Sequence, residues 1–248
     1  MTGLEYREIK PAQALLPFIE CYWTLRANRD YPAYPVLPDG CADLLFSTAP
    51  ELQLVGNMTA ARSFSLSKGT DLLGVRFHPA MAVLFVQAPW QELANQSIPA
   101  AGTRQLAEQI GATNQLVQRV AAIENWLRPV RDPGPVQRIV SAGATNPPMD
   151  ELSRQAGLSS RHLRRLFLAE IGLAPKHLFR ILRFRRAIQR MACRQSFASL
   201  ASEVGYYDQA HFIHEFREFS GGYTPAAWQI RMADFSNPVS NNRSTLAV

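Results

Sequence analysis

Residues 205–216 read GYYDQAHFIHEF and crowd Asp208, Gln209, His211, His214 and Glu215 into one short stretch. Such side chains can ligate a metal, move a proton or read another molecule through hydrogen bonds. A metal site needs three or four converging ligands. Here two histidines stand three apart, and the cysteines Cys21, Cys41 and Cys193 are distant from one another. Their odd number and wide spacing fit neither a disulfide framework nor a zinc set, so they are expected to be free, buried thiols in a reducing compartment.

A second set of reactive types is embedded in apolar runs of the front half: Tyr22, Trp23, Asp39, Cys41, Asp43, Arg76 and His78. On a strand, Arg76 and His78 face the same side. With Tyr22 and Trp23 they could bind an anionic or aromatic effector; the competing reading is that all of them cap and pack the sheet. Asp39, Cys41 and His78 lack the paired-histidine spacing of a metal-binding barrel, so no metal and no cofactor are expected.

The elements that must position these groups fall into two halves. Residues 1–130 are punctuated by proline, and the runs ECYWTLRA, ADLLFST, LQLVGNM, SFSLSKG and LLGVRFHP read as strands separated by turns, one at Asp39–Gly40. A small antiparallel sheet or half-open barrel follows. AMAVLFVQAPWQEL reads as a short helix, and another helix starts after Thr103. A third covers 114–128, where Leu116, Val120, Ile123 and Leu127 form a stripe suited to dimerisation or to covering the sheet. RPVRDPGPVQ reads as the linker.

Beyond the linker the chain reads as helix throughout, over 136–144, 149–156, 160–171, 175–192, 197–204, 208–219 and 225–232. The expected class is therefore α+β. A front domain spans 1–130 (small sheet with helices), an all-α domain spans 131–235, and a polar tail, 236–248, is expected to be disordered.

The helical half contains a repeat. LSRQAGLSSRHLRRLFLAEIGLAP (152–175) matches LASEVGYYDQAHFIHEFREFSGGYTP (200–225) in plan: a short helix, a glycine turn, a longer helix with apolar anchors four apart, then glycine and proline. Gly157 and Gly205 sit where a sharp turn penalises a β-carbon. This is a helix-turn-helix unit present twice. The second helix of such a unit enters the DNA major groove. Arg161, Arg164 and Arg165 stand opposite the apolar Leu163, Leu166 and Phe167, and a guanidinium fork pairs with guanine O6 and N7.

Charge agrees with this division. Of 248 residues, 1–130 carry 10 basic and 11 acidic side chains, whereas 131–235 carry 15 and 9. The basic excess belongs to one domain and is nearly all arginine, which grips phosphate and guanine bidentately. The amino terminus has no signal-peptide core and no apolar run is long enough for a membrane span, so a cytoplasmic protein is expected.

Segment 131–232 resembles the DNA-binding domain of the AraC-type bacterial transcription regulators through LSRQAGLSSRHLRRLF, IGLAPKHL, RFRRAIQRM and ASEVGYYDQAHFIHEFRE with GYTPAAW. The resemblance implies two helix-turn-helix units joined by a linker helix. It assigns base reading to Arg161, Arg164 and Arg165 in the first unit and to Gln209, Ala210, His211 and His214 in the second. It puts Arg183 and Arg217 where phosphate is contacted or where side chains pack beside it; Ser160, Arg180 and Arg186 complete the expected phosphate set. Two departures stand out: SGGYTP is one residue longer than its counterpart, and His214 replaces an arginine.

The front strings FIECYW, PVLPDGCADLLF and GVRFHP resemble a compact sensor type found on some members. The implied protein is a regulator, as an activator for instance, acting on double-stranded DNA and not an enzyme. A small-molecule effector, RNA polymerase and a second copy in a homodimer are its further candidate partners. The competing readings are a DNA-modifying or metal-dependent enzyme with a His/Asp/Cys site, and a non-specific architectural DNA binder.

Overall fold

The structure is a computed structural model that describes residues 3–47, 49–129, 131–143, 147–191 and 196–235. The expected tail and Cys193 lie outside the described residues. The α+β class holds: an antiparallel sheet domain is followed by a helical one.

Six strands form the main sheet in the order β1 (Leu4–Ile9), β2 (Ile19–Ala27), β7 (Asp71–Phe77), β4 (Asp43–Phe46), β5 (Gln53–Val55) and β8 (Ser97–Pro99), every neighbouring pair antiparallel. β3 (Tyr31–Val36) and β6 (Arg62–Leu66) pair as a separate ribbon. Alternation along the strands divides the sheet into two faces. Ile19, Leu44, Leu54, Leu73, Val75 and Phe77 point into one core, and Cys21, Trp23, Leu25 and Leu45 into another, shared with Tyr31, Tyr34 and Leu66 of the ribbon.

The strands β1, β3 and β8 were not legible in the pattern. β3 reads YPAYPV, and proline withholds the ladder hydrogen bond that marks a strand. AMAVLFVQAPWQEL yields two separate 3-10 turns, Ala82–Leu84 and Trp90–Glu92, not a helix. The helices α1 (Arg104–Gly111) and α2 (Leu116–Trp126) close the first core. Val120, Ile123 and Leu127 are at most 9% exposed there, so these positions of the α2 stripe cover the sheet.

In the helical domain the described elements follow the expected pattern: α3 (Pro135–Ser141), α4 (Met149–Ala156), α5 (Ser160–Ile171), α6 (Pro175–Arg190), α7 (Phe197–Val204), α8 (Gln209–Ser220) and α9 (Pro225–Phe235). One core runs through both repeat units, from Leu152, Leu163 and Phe167 through Leu178, Ile181 and Phe184 of α6 to Leu200, Phe212, Phe216 and Trp228. Burying phenylalanines of this size stabilises by about 1.5–3 kcal/mol each. The 16 residues of α6 give a rod roughly 24 Å long between the units.

The two domains are docked. Leu37 and Ala80 of the front domain pack into the helical core, and Gln137 on α3 donates to Ala80 O at 3.1 Å. Arg185 on α6 reaches into the front domain, donating to the Glu20 carboxylate and lying 3.2 Å from Cys41 Sγ.

Candidate nucleic-acid interface

The local chemistry of the two units is nearly identical. α4 and α7 are each 8 residues long and end in a left-handed glycine, Gly157 (φ 65°) or Gly205 (φ 87°). The next residue donates back to the last turn, Leu158 N to Ser153 O (3.0 Å) and Tyr206 N to Ala201 O (2.9 Å). α5 and α8 are each 12 residues long and start from a side-chain cap. Ser159 Oγ accepts from His162 N at 3.3 Å, and Asp208 Oδ1 accepts from His211 N at 2.7 Å. Asp208 therefore has a structural duty, as its position in the repeat suggests.

The units differ in their turns. Between the back-bonding residue and the cap the second unit holds one more residue, Tyr207, which is 92% exposed. The spacing from glycine to the first anchor, Gly157 to Leu163 against Gly205 to Phe212, carried that signal and was missed. The extra residue of SGGYTP is accommodated by Gly221 and Gly222 in succession, both at positive φ (76° and 98°).

On α5, Arg161, Arg164 and Arg165 are exposed while Leu163 and Phe167 are fully buried. On α8, Gln209, Ala210, His214 and Arg217 are exposed against buried Phe212, Phe216 and Phe219. His211 is half-buried and makes contacts within the protein. Tyr207 N donates to its Nδ1 at 3.4 Å, its Nε2 lies 3.7 Å from Glu215 Oε1, and its ring stands edge-on to Tyr206 at 5.4 Å. The Nδ1 contact ties His211 to the turn before α8, while its side chain stays 38% exposed and lines the cleft beside His214.

The expected phosphate contacts divide as well. Arg183 is 4% exposed; it donates to Glu215 Oε1 at 2.7 Å and lies 4.5 Å from the Tyr206 ring centre. It braces the second unit from within and cannot reach phosphate without leaving its partner. Arg180 donates to both Glu215 (2.6 Å) and Glu218 (2.5 Å), and Arg186 to Gly143 O (2.6 Å). Ser160 Oγ stands 2.9 Å from Ser153 Oγ and ties α4 to α5. Arg217 is exposed on α8.

Burial opposes ionisation of Glu215, yet the hydrogen bonds from Arg180 and Arg183 outweigh it and hold the carboxyl below the usual range. A cleft of about 640 Å³ opens beside this cluster, lined by Lys176, His177, Arg180, His211 and His214 among others.

In the front domain the proposed effector set is largely taken by the fold. Arg76 pairs with Asp43 (3.2 Å) and lies 3.6 Å from Asp39. Trp23 Nε1 also donates to Asp43, at 3.3 Å, and stacks on Tyr6. Tyr22 is fully buried. His78 follows the end of β7, its N–H bonded to Phe18 O, so it does not share a strand face with Arg76. Tyr22, Trp23 and Arg76 are thus engaged within the sheet domain. Among the described residues no group of three or more His, Cys, Asp or Glu is placed to hold a metal ion, and no helix is long and apolar enough to cross a membrane.

Two family models match the chain: a helix-turn-helix domain over residues 152–231, and a domain of unknown function (DUF6597) over residues 7–99. The carboxy-terminal domain is an AraC-type helix-turn-helix domain. The helix-turn-helix match supports a DNA-binding transcription regulator.

No curated protein matches the chain. Among solved structures, apo ToxT from Vibrio cholerae is similar at 11% identity, covering 92% of this chain and 96% of that one, with a TM-score of 0.44. ToxT with a bound unsaturated fatty acid is similar at 11% identity, 91% and 93% coverage and a TM-score of 0.43. The regulator CdpR from Pseudomonas aeruginosa is 19% identical over 66% of this chain and 47% of its own, with a TM-score of 0.36.

Proposed function

We propose that the protein recognises a specific two-part DNA site, with Arg161, Arg164 and Arg165 of α5 reading one part and Gln209, Ala210 and His214 of α8 reading the other. The observation that carries this reading is the pair of amphipathic helices with unlike exposed faces, mounted on one rod, α6. A binder with no sequence preference has no need of two different faces. Arg217 and the rim of the 640 Å³ cleft, Lys176 above all, supply charge for the phosphate backbone.

In this proposal 131–235 is the DNA-binding domain and 1–130 a regulatory domain that answers to a small-molecule effector or to a second copy, in the cytoplasm. The effector would not use the Arg76 cluster as it stands, because Asp43 and Asp39 already occupy that guanidinium. The enzyme alternative finds its groups already engaged: Asp208 caps α8, His211 is held by Tyr207 and Glu215, and Cys21 and Cys41 are buried.

Selection of bound sequences from random DNA tests the reading. The expected result is a two-part site with its parts on successive major grooves, about 10–10.5 base pairs apart. Enrichment of no sequence at all would overturn it.

A further inference from the structure

Both reading helices end on the same short piece of the front domain. Asn57, 3% exposed, donates from Nδ2 to the carbonyl of Ile171, the last residue of α5, at 3.0 Å. Four residues on, Ala61 N–H donates to the carbonyl of Phe219, in the last turn of α8, at 2.9 Å. The final carbonyls of a helix lack intrahelical donors and carry the negative end of its dipole, so each bond satisfies a group that burial would otherwise leave costly.

The piece is stiff. Asn95, at φ 61°, donates its N–H to Asn57 O at 2.9 Å, and its Oδ1 accepts from Thr59 N at 2.9 Å. Arg62 Nη1 closes the far end on Asn95 O. Asparagine tolerates this left-handed backbone better than most residues. Gly221, which caps α8, lies in ordinary van der Waals contact with Ala61, and Gly172, which caps α5, lies against Trp90 O of the neighbouring turn, where a β-carbon would stand 2.3 Å away.

We propose that segment 57–61 is a positioning element for DNA recognition: by holding the ends of α5 and α8 together, it sets the separation and relative rotation of the two reading helices, and so the half-site spacing the protein accepts. α6 ties the units from within their core, and the bracket ties them from the front domain. The proposal rests on the two-part reading above and adds which residues determine its spacing. One inserted base pair displaces the second half-site by about 3.4 Å and about 35° of rotation, which a braced pair of helices cannot follow.

The test uses the full chain and a panel of the selected site with one base pair inserted or removed between its halves. Wild type should bind the native spacing at least about tenfold better than either altered spacing. Asn57→Ala, which removes one arm, and Ala61→Pro, which removes the other donor, should narrow that ratio to about threefold or less. Melting curves check that each variant folds; if Ala61→Pro does not, Asn57→Ala decides alone.

A uniform loss of affinity with the spacing ratio unchanged overturns the bracket. A wild-type protein that selects no two-part site overturns the underlying reading, and this one with it.

Discussion

Arg183 on α6 and Glu215 on α8 meet at 2.7 Å, with side-chain exposures of 5% and 3%. The pair lies under the reading helix of the second unit. A buried pair that loses one partner leaves an uncompensated charge, which costs about 3–5 kcal/mol. Arg183→Ala leaves Glu215 with Arg180 as its remaining guanidinium partner, so it should destabilise the helical domain by less than that full amount in denaturant titrations. A variant of wild-type stability with only a flatter salt dependence of DNA binding would make Arg183 a phosphate contact after all.

The same pair sets an acid limit. Glu215 is held below the usual carboxylate value, so its contribution to stability is present above that value, about 4.3, and is lost as the pH falls through the lower folded value. Melting temperature should drop in that window for wild type and less steeply for Glu215→Gln, which has no proton to gain. Identical acid profiles would show that another group governs the loss.

Arg165 is exposed on α5 with no packing duty visible in its burial. Arg165→Ala should cost about 1–3 kcal/mol on the selected site and relax preference at one position. Equal loss on random DNA would move it to the phosphate class.

His214 offers a gain-of-function check. It is exposed on α8, at the rim of the cleft. His214→Arg adds a guanidinium to the reading face and should tighten DNA binding while steepening the salt slope by about one unit. An unchanged slope would place His214 away from the DNA.

Arg185 links the domains through Glu20, Cys41 and the Asp39 carbonyl. Burial opposes the Glu20 charge, but Arg185 overcomes it and keeps the carboxyl below its ordinary range. Arg185→Ala should loosen the docking, seen in calorimetry as two separated transitions where wild type gives one. A single unshifted transition would mean that the apolar contacts suffice.

Much of the helical domain was legible because its signals are local. Glycine turns, capping residues and anchors four apart are written within a few residues of each other, and α4, α5 and α7 match their expected bounds to the residue. The front domain was legible only in part. β1, LEYREI, has three charged residues among its six, which thins its apolar alternation, and the prolines of β3 conceal a ribbon that covers Trp23 and Leu25. The helix expected at AMAVLFVQAPWQEL broke into 3-10 turns around Pro89, which cannot continue a hydrogen-bonded helix.

The roles of individual side chains divided along the same line. By itself the sequence determined two helix-turn-helix units, the glycines and caps that build them, and the amphipathic faces that bring arginines out and phenylalanines in, since helical period and turn chemistry act over short range. Only the tertiary structure decided which polar groups are left for DNA. Arg183 meets Glu215 across 32 positions, Arg76 meets Asp43 across 33, and Asn57 reaches Ile171 across 114. Partners so far apart in the chain are chosen by the packing of whole elements, and a buried charge or amide goes where that packing supplies its complement.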